Sequence, residues 1–201
     1  MNKLFLIGVG VVLLRVPGIA APCMPGSLAS YIALGSTGCV LGNLTVSGFA
    51  YAAKAGGGAE KIKADQIAVT PVLTPGAVAL EFAANWSVQS GQEEVSNITY
   101  HALSADPAVE VKAISLDGNG FEAGLMGEVE VQEVVAGAAE AATLDIYLKC
   151  TEVCHPKTSA SAAITPSAAL VAGDRVTLKS KQGTAALSSF SAWFITCPPC
   201  L

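Results

Sequence analysis

Alternation of apolar and polar side chains with a period of two runs through most of this chain and restricts it to β-sheet. Leu144, Ile146 and Leu148 alternate with Thr143, Asp145, Tyr147 and Lys149. Val129 and Val131 alternate with Glu128, Glu130 and Gln132, and Val176 and Leu178 with Arg175, Thr177 and Lys179. Successive side chains on a strand point to opposite faces, so each such segment buries one face and wets the other. Further strands are expected over residues 45–52, with Thr45, Ser47, Phe49 and Tyr51 on one face, and over 78–88, 97–103, 109–116 and 187–195. Another enters beyond Lys61 with Ile67 and Val69 inward and ends at Pro71. Gly56-Gly57-Gly58 and Gly91-Gln92 separate strands, and Asp117-Gly118-Asn119-Gly120 reads as a hairpin turn because Gly and Asn tolerate positive φ. One short helix is expected at 28–34. The Ala-rich stretches 136–142 and 159–169 read as loops, because Gly137 and Pro166 interrupt them. About nine short strands with one solvated face predict an all-β fold, an antiparallel β-sandwich or jelly-roll-like domain.

The N-terminus carries an export signal. Lys3 precedes an apolar run of about eleven residues ending at Arg15, and Gly18-Ile19-Ala20 offers small residues for cleavage. Residues 1–20 are therefore read as a signal peptide and 21–201 as a single sandwich domain with a cysteine-containing C-terminal tail. The run is too short to span a bilayer, which takes about 20 apolar residues. No later run is longer, so no transmembrane anchor is expected in the mature chain and the destination is the cell exterior.

Export makes the six cysteines, Cys23, Cys39, Cys150, Cys154, Cys197 and Cys200, candidates for disulfides. Proximity favours Cys23 with Cys39; the other four either pair locally or cross-link two regions of the chain. Charged residues make up only 13% of the sequence, against about 25% in an ordinary domain, and the formal net charge is −5. That balance gives no support to nucleic-acid binding, which needs a clustered basic face. It also leaves little long-range repulsion between copies, which favours self-association.

Several patterns invite specific chemistry. Cys150, Cys154 and His155 lie one residue off the spacing of a c-type haem attachment, with His101 as the only other histidine available as a second axial ligand. A local disulfide explains the same residues more simply. Cys150, Cys154, Cys197 and Cys200 have tolerable spacing for a four-thiolate zinc site, but export oxidises thiols. Cys197-Pro198-Pro199-Cys200 has redox-dithiol spacing with no helix behind it to lower a thiol pKa. It also suits intermolecular disulfides, although intrachain pairing is the simpler reading. Asp117 and Asn119 alternate with glycine as in a partial calcium loop, but the later acidic ligand is missing. Glu93-Glu94 and Glu128/Glu130 are possible carboxylate pairs, more simply read as solvated charges. Trp86, Tyr51, Tyr100 and Trp193 would make a sugar-binding platform if exposed; burial is the default for so few aromatics. No Gly-x-Ser-x-Gly elbow accompanies the two histidines. No enzyme activity and no cofactor are expected.

Cys23, Leu28, Tyr31-Ile32, Gly38-Cys39, Gly42, Phe49, Tyr51 and Gly57-Gly58-Ala59 occur in order along the first half. Ile67-Ala68-Val69-Thr70-Pro71, Phe82, Trp86-Ser87-Val88, Gly91-Gln92 and Ile98-Thr99-Tyr100 follow, and residues 187–194 close the pattern. In these features the chain resembles uncharacterised exported bacterial proteins of the PEP-CTERM-associated type. That resemblance implies an extracellular or surface-associated β protein of unassigned activity. The Pro-Glu-Pro motif, apolar helix and basic cluster of the sorting tail do not occur in this sequence. The expectation is a non-catalytic structural protein of the cell exterior, a subunit of a filament or surface layer, polymerising by strand addition. The alternatives are a secreted ligand- or carbohydrate-binding module with a glycan partner and, less favoured, a monohaem electron carrier.

Overall fold

Two antiparallel sheets packed face to face enclose one apolar core in the computed structural model, which describes residues 20–106, 108–137 and 140–197. The proposed signal peptide falls outside the described residues, apart from Ala20. Among the described residues fourteen strands replace the expected nine: β1 (Gly26–Ser27), β2 (Cys39–Leu41), β3 (Leu44–Gly56), β4 (Ala68–Thr74), β5 (Ala77–Gln89), β6 (Glu93–Ser104), β7 (Glu110–Asn119), β8 (Glu122–Ala123), β9 (Gly127–Ala136), β10 (Ala141–Cys150), β11 (Cys154–Lys157), β12 (Ser159–Ser167), β13 (Ala169–Ser180) and β14 (Thr184–Cys197). One sheet runs β11-β10-β9-β13-β6-β3-β2. The other runs β1-β4-β5-β14-β7-β12, with β8 also on β14. The one α-helix among the described residues, α1 (Leu28–Ala33), starts where the Ser27 side chain accepts from the Ser30 N–H at 3.2 Å. It buries Leu28 and Tyr31 against the core, and a disulfide between Cys23 and Cys39 ties down the segment it belongs to.

The facing strands supply the core in alternation. Val129, Val131 and Val135 of β9 and Leu170, Ala172, Val176 and Leu178 of β13 meet Leu80, Phe82 and Trp86 of β5 and Leu187, Phe190 and Phe194 of β14. Tyr100 stacks with Phe49 at 5.1 Å between ring centroids, and Phe82 stacks with Phe190 at the same distance.

Four local readings are corrected by tertiary structure. Residues 45–51 do not keep one face, because the β3–β6 register shifts between Ser47 and Ala50. Gly48 takes φ 64° at this bulge, so Val46 on one side and Phe49 on the other both reach the core. Pro71 does not end its strand: β1 covers only Ala68 and Val69, leaving β4 an edge at Pro71, where no N–H is needed. Asp117–Gly120 is not a hairpin. β7 and β8 lie in succession along the same side of β14, and Gly120, at φ 69°, makes the kink between them. The Ala-rich stretch beginning at Ser159 is strand β12, whose Ala160, Ala162 and Ile164 pack on the core.

Candidate functional site

The sequence-predicted reactive groups do not converge. Cys150 and Cys154 close a disulfide across the β10–β11 turn, so their sulfurs are not available as haem thioethers or as part of a thiolate zinc set. His155 pairs opposite Lys149 on edge strand β11, whereas His101 lies on β6. Those strands are four positions apart in the sheet, about 19 Å at the usual strand spacing, which is too far for both imidazoles to bind one iron. Cys197 is disulfide-bonded; Cys200 and the two prolines before it lie outside the described residues. Among the described residues no three His, Cys, Asp or Glu side chains gather as a metal site.

The candidate carboxylate pairs separate in the same way. Glu93 points outward to Lys179 at 3.6 Å, while Glu94 is buried. Glu94 Oε1 accepts from the Ile62 N–H (3.3 Å) and the Ser96 hydroxyl (3.2 Å). Trp86 Nε1–H donates to the same Ser96 oxygen at 3.3 Å, and Tyr51 donates to the Ile62 carbonyl at 2.8 Å. Burial raises the Glu94 pKa, and the bonds from Ile62 and Ser96 partly offset it. The cluster fastens the segment before β4 to the sandwich. Glu128 and Glu130 both bind Lys149, at 3.0 and 3.2 Å. Trp86 and Tyr100 are core residues, and Tyr51 packs partly buried against the core. Trp193 sits on the opposite outer face, between Ala79 and Ser115, so the four aromatics form no common platform.

Two features were not identified from sequence. The first is a pair of core acids. Glu133 of β9 and Asp174 of β13 are direct cross-strand partners, 0% and 1% exposed, and no carboxylate oxygen of either has a hydrogen-bond partner. The buried Tyr100 hydroxyl is also unpartnered. Burial pushes Asp174 up to about 8 and Glu133 well above the carboxylate range, with the Asp174 charge adding to the effect on Glu133. Tyr100 is raised by burial and then by both acids. The signal was present: Glu133 shares the parity of Val129, Val131 and Val135, and Asp174 that of Ala172 and Val176.

The second feature is the outer edge of β12. This strand ends its sheet and pairs only with β7, matching Ala160 to Leu116, Ser161 to Ser115 and Ala162 to Ile114. Gly118 N–H donates to the Thr158 carbonyl at 2.9 Å. Bonded and non-bonded pairs alternate in an antiparallel ladder. Ala160 and Ala162 therefore turn their backbone groups toward β7, and Ser159, Ser161 and Ala163 turn theirs away from the sheet. Those three residues are exposed, and no charged residue occurs between Lys157 and Asp174. Other strand ends are protected: β2 is three residues long, β4 contains Pro71, and β11 contains Pro156 and a lysine bound to Asp145. From Ser159 to Ile164 β12 has no charge and no proline, which are the usual guards against pairing with another chain; beyond it the Glu140 carboxylate accepts from the Thr165 N–H at 3.0 Å and Pro166 follows.

Among known proteins, the chain matches no protein-family model and no curated relative.

Proposed function

We propose that the protein is a non-catalytic, extracellular structural protein whose copies associate by strand addition at β12. The observation that carries this reading is the open, uncharged edge of β12 from Ser159 to Ala163. A strand from a second copy laid along it would satisfy the outward groups of Ser159, Ser161 and Ala163. Main-chain hydrogen bonds would give the affinity, and no special motif is needed. At the far end of the same sheet Pro71 guards β4 beyond Val69, which leaves β12 as the edge for addition. Disulfides at Cys23–Cys39 and Cys150–Cys154 fit an oxidising exterior, as does the resemblance to exported proteins. The scattered histidines and lysine-bound carboxylates support the non-catalytic part.

Light scattering across a wide concentration range, combined with negative-stain microscopy, tests the reading. Assembly should grow with concentration, and Ser161→Lys should abolish it while the circular dichroism spectrum stays unchanged. A wild-type monomer at every concentration, or unchanged assembly of Ser161→Lys, would overturn it.

A further inference from the structure

The outer face of the other sheet carries a polar row that the structural role does not use. Strand register places Asn97 of β6, Arg175 of β13, Gln132 of β9 and Asp145 of β10 side by side. The row spans about 14 Å at ordinary strand spacing. Asn97 and Gln132 are half-buried and Arg175 is exposed. Between Lys54 and Arg175 lies an open cleft of about 500 Å³, with Val95, Asn97 and the Lys179-bound Glu93 among its lining residues. Arg175 also borders a smaller hollow of about 180 Å³ lined by Gln132, Thr177 and Glu130.

The charges on this face are unevenly matched. Glu93 is held by Lys179, Glu128 and Glu130 by Lys149, and Asp145 by Lys157. Lys54 and Arg175 have no acidic partner among the described residues. On a chain of net charge −5, two unneutralised cations facing each other across a cleft form a local positive site. A guanidinium binds a carboxylate or sulfate through a planar fork of donors. The flanking amides of Asn97 and Gln132 both donate and accept, which suits hydroxyl groups better than a bare anion, which only accepts. Two free cations are too few for nucleic acid, whose affinity comes from many phosphate contacts.

We infer that this cleft binds an acidic polysaccharide, with a carboxylated or sulfated sugar held between Lys54 and Arg175 and neighbouring sugar hydroxyls on Asn97 and Gln132. The inference is independent of assembly at β12, which belongs to the other sheet.

Affinity electrophoresis through gels containing polygalacturonate, dextran sulfate or neutral dextran tests it, with Lys54→Gln/Arg175→Gln beside Lys112→Gln. Lys112 is an exposed lysine on the opposite sheet and controls for general charge. The wild-type protein should be retarded by one or both anionic polymers and not by dextran; the carboxylated and sulfated arms identify the anion. The double variant should lose at least tenfold in affinity, and Lys112→Gln should retain it. No retardation by either anionic polymer, equal retardation by dextran, or equal losses in the double variant and in Lys112→Gln would each overturn the inference.

Discussion

Replacing the two core acids by their amides, Glu133→Gln with Asp174→Asn, should flatten the pH dependence of stability. The two carboxyls lie opposite each other between apolar layers, without a hydrogen-bond partner. The charges of both acids in turn raise the buried Tyr100 hydroxyl, which is unpartnered too. Asp174 titrates near 8 in the folded protein against 3.8 as an ordinary aspartate, and Glu133 is shifted in the same direction. Between about pH 4 and about pH 8 the folded state therefore holds protons that the unfolded chain has released. Their contribution is complete below the unfolded pKa and is lost as pH rises through the folded value. One fully linked proton costs about 1.4 kcal/mol per pH unit. Over the Asp174 interval the loss is on the order of 5 kcal/mol, comparable with the whole stability of many domains. Urea denaturation at intervals from pH 4 to pH 8 reads this directly. The wild-type free energy should fall steadily with pH. The double variant should show a much flatter profile and should be the more stable protein at pH 8. Glu94 and Asp117 are also raised by burial and add to the wild-type slope, so the difference between the two proteins isolates the pair. Wild-type stability that rises toward pH 8, an unchanged slope in the variant, or stabilisation by a divalent cation that a chelator removes would refute the reasoning.

Four other perturbations have definite expected sizes. Loss of the Cys23–Cys39 bridge, with a sequence separation of 16, should cost about 3 kcal/mol, and loss of Cys150–Cys154, with a separation of 4, about 2 kcal/mol by loop entropy; paired Cys→Ser variants in urea check the order. Ser96→Ala should cost about 1–3 kcal/mol, because Trp86 Nε1–H loses its acceptor and Glu94 loses a donor, and thermal unfolding should register the drop. Gly120→Ala should cost about 1–3 kcal/mol, since it forces a side chain into φ 69° and against the Ser188 hydroxyl; a urea midpoint unchanged from wild type would show that the kink relaxes freely.

The fold class was legible because alternation is a local signal, and it recurs in nearly every long strand. What sequence did not show depended on neighbours. β12 was read as a loop because serine and alanine carry little hydrophobic contrast, and its strand character rests on pairing with β7. The bulge at Gly48 inverts the parity of β3, and pairing with β6 is what shows it. Pro71 is tolerated only because β1 is two residues long. Of the site features, Glu133 and Asp174 could have been found by carrying the apolar parity through to the acidic residues. The Lys54–Arg175 cleft could not, since it joins β3 to β13 across β6, and strand order is a tertiary property. The same holds for the open edge: an uncharged stretch can be read from sequence, but its position at the end of a sheet cannot.

Hydrogen–deuterium exchange on dispersed and assembled protein tests the central claim most directly. The outward amides of Ser159, Ser161 and Ala163 should exchange fast in the dispersed protein and become strongly protected in the assembly, while Ala160 and Ala162, already bonded to β7, change little. Assembly that leaves the amides of Ser159, Ser161 and Ala163 exchanging as fast as before would contradict strand addition at β12.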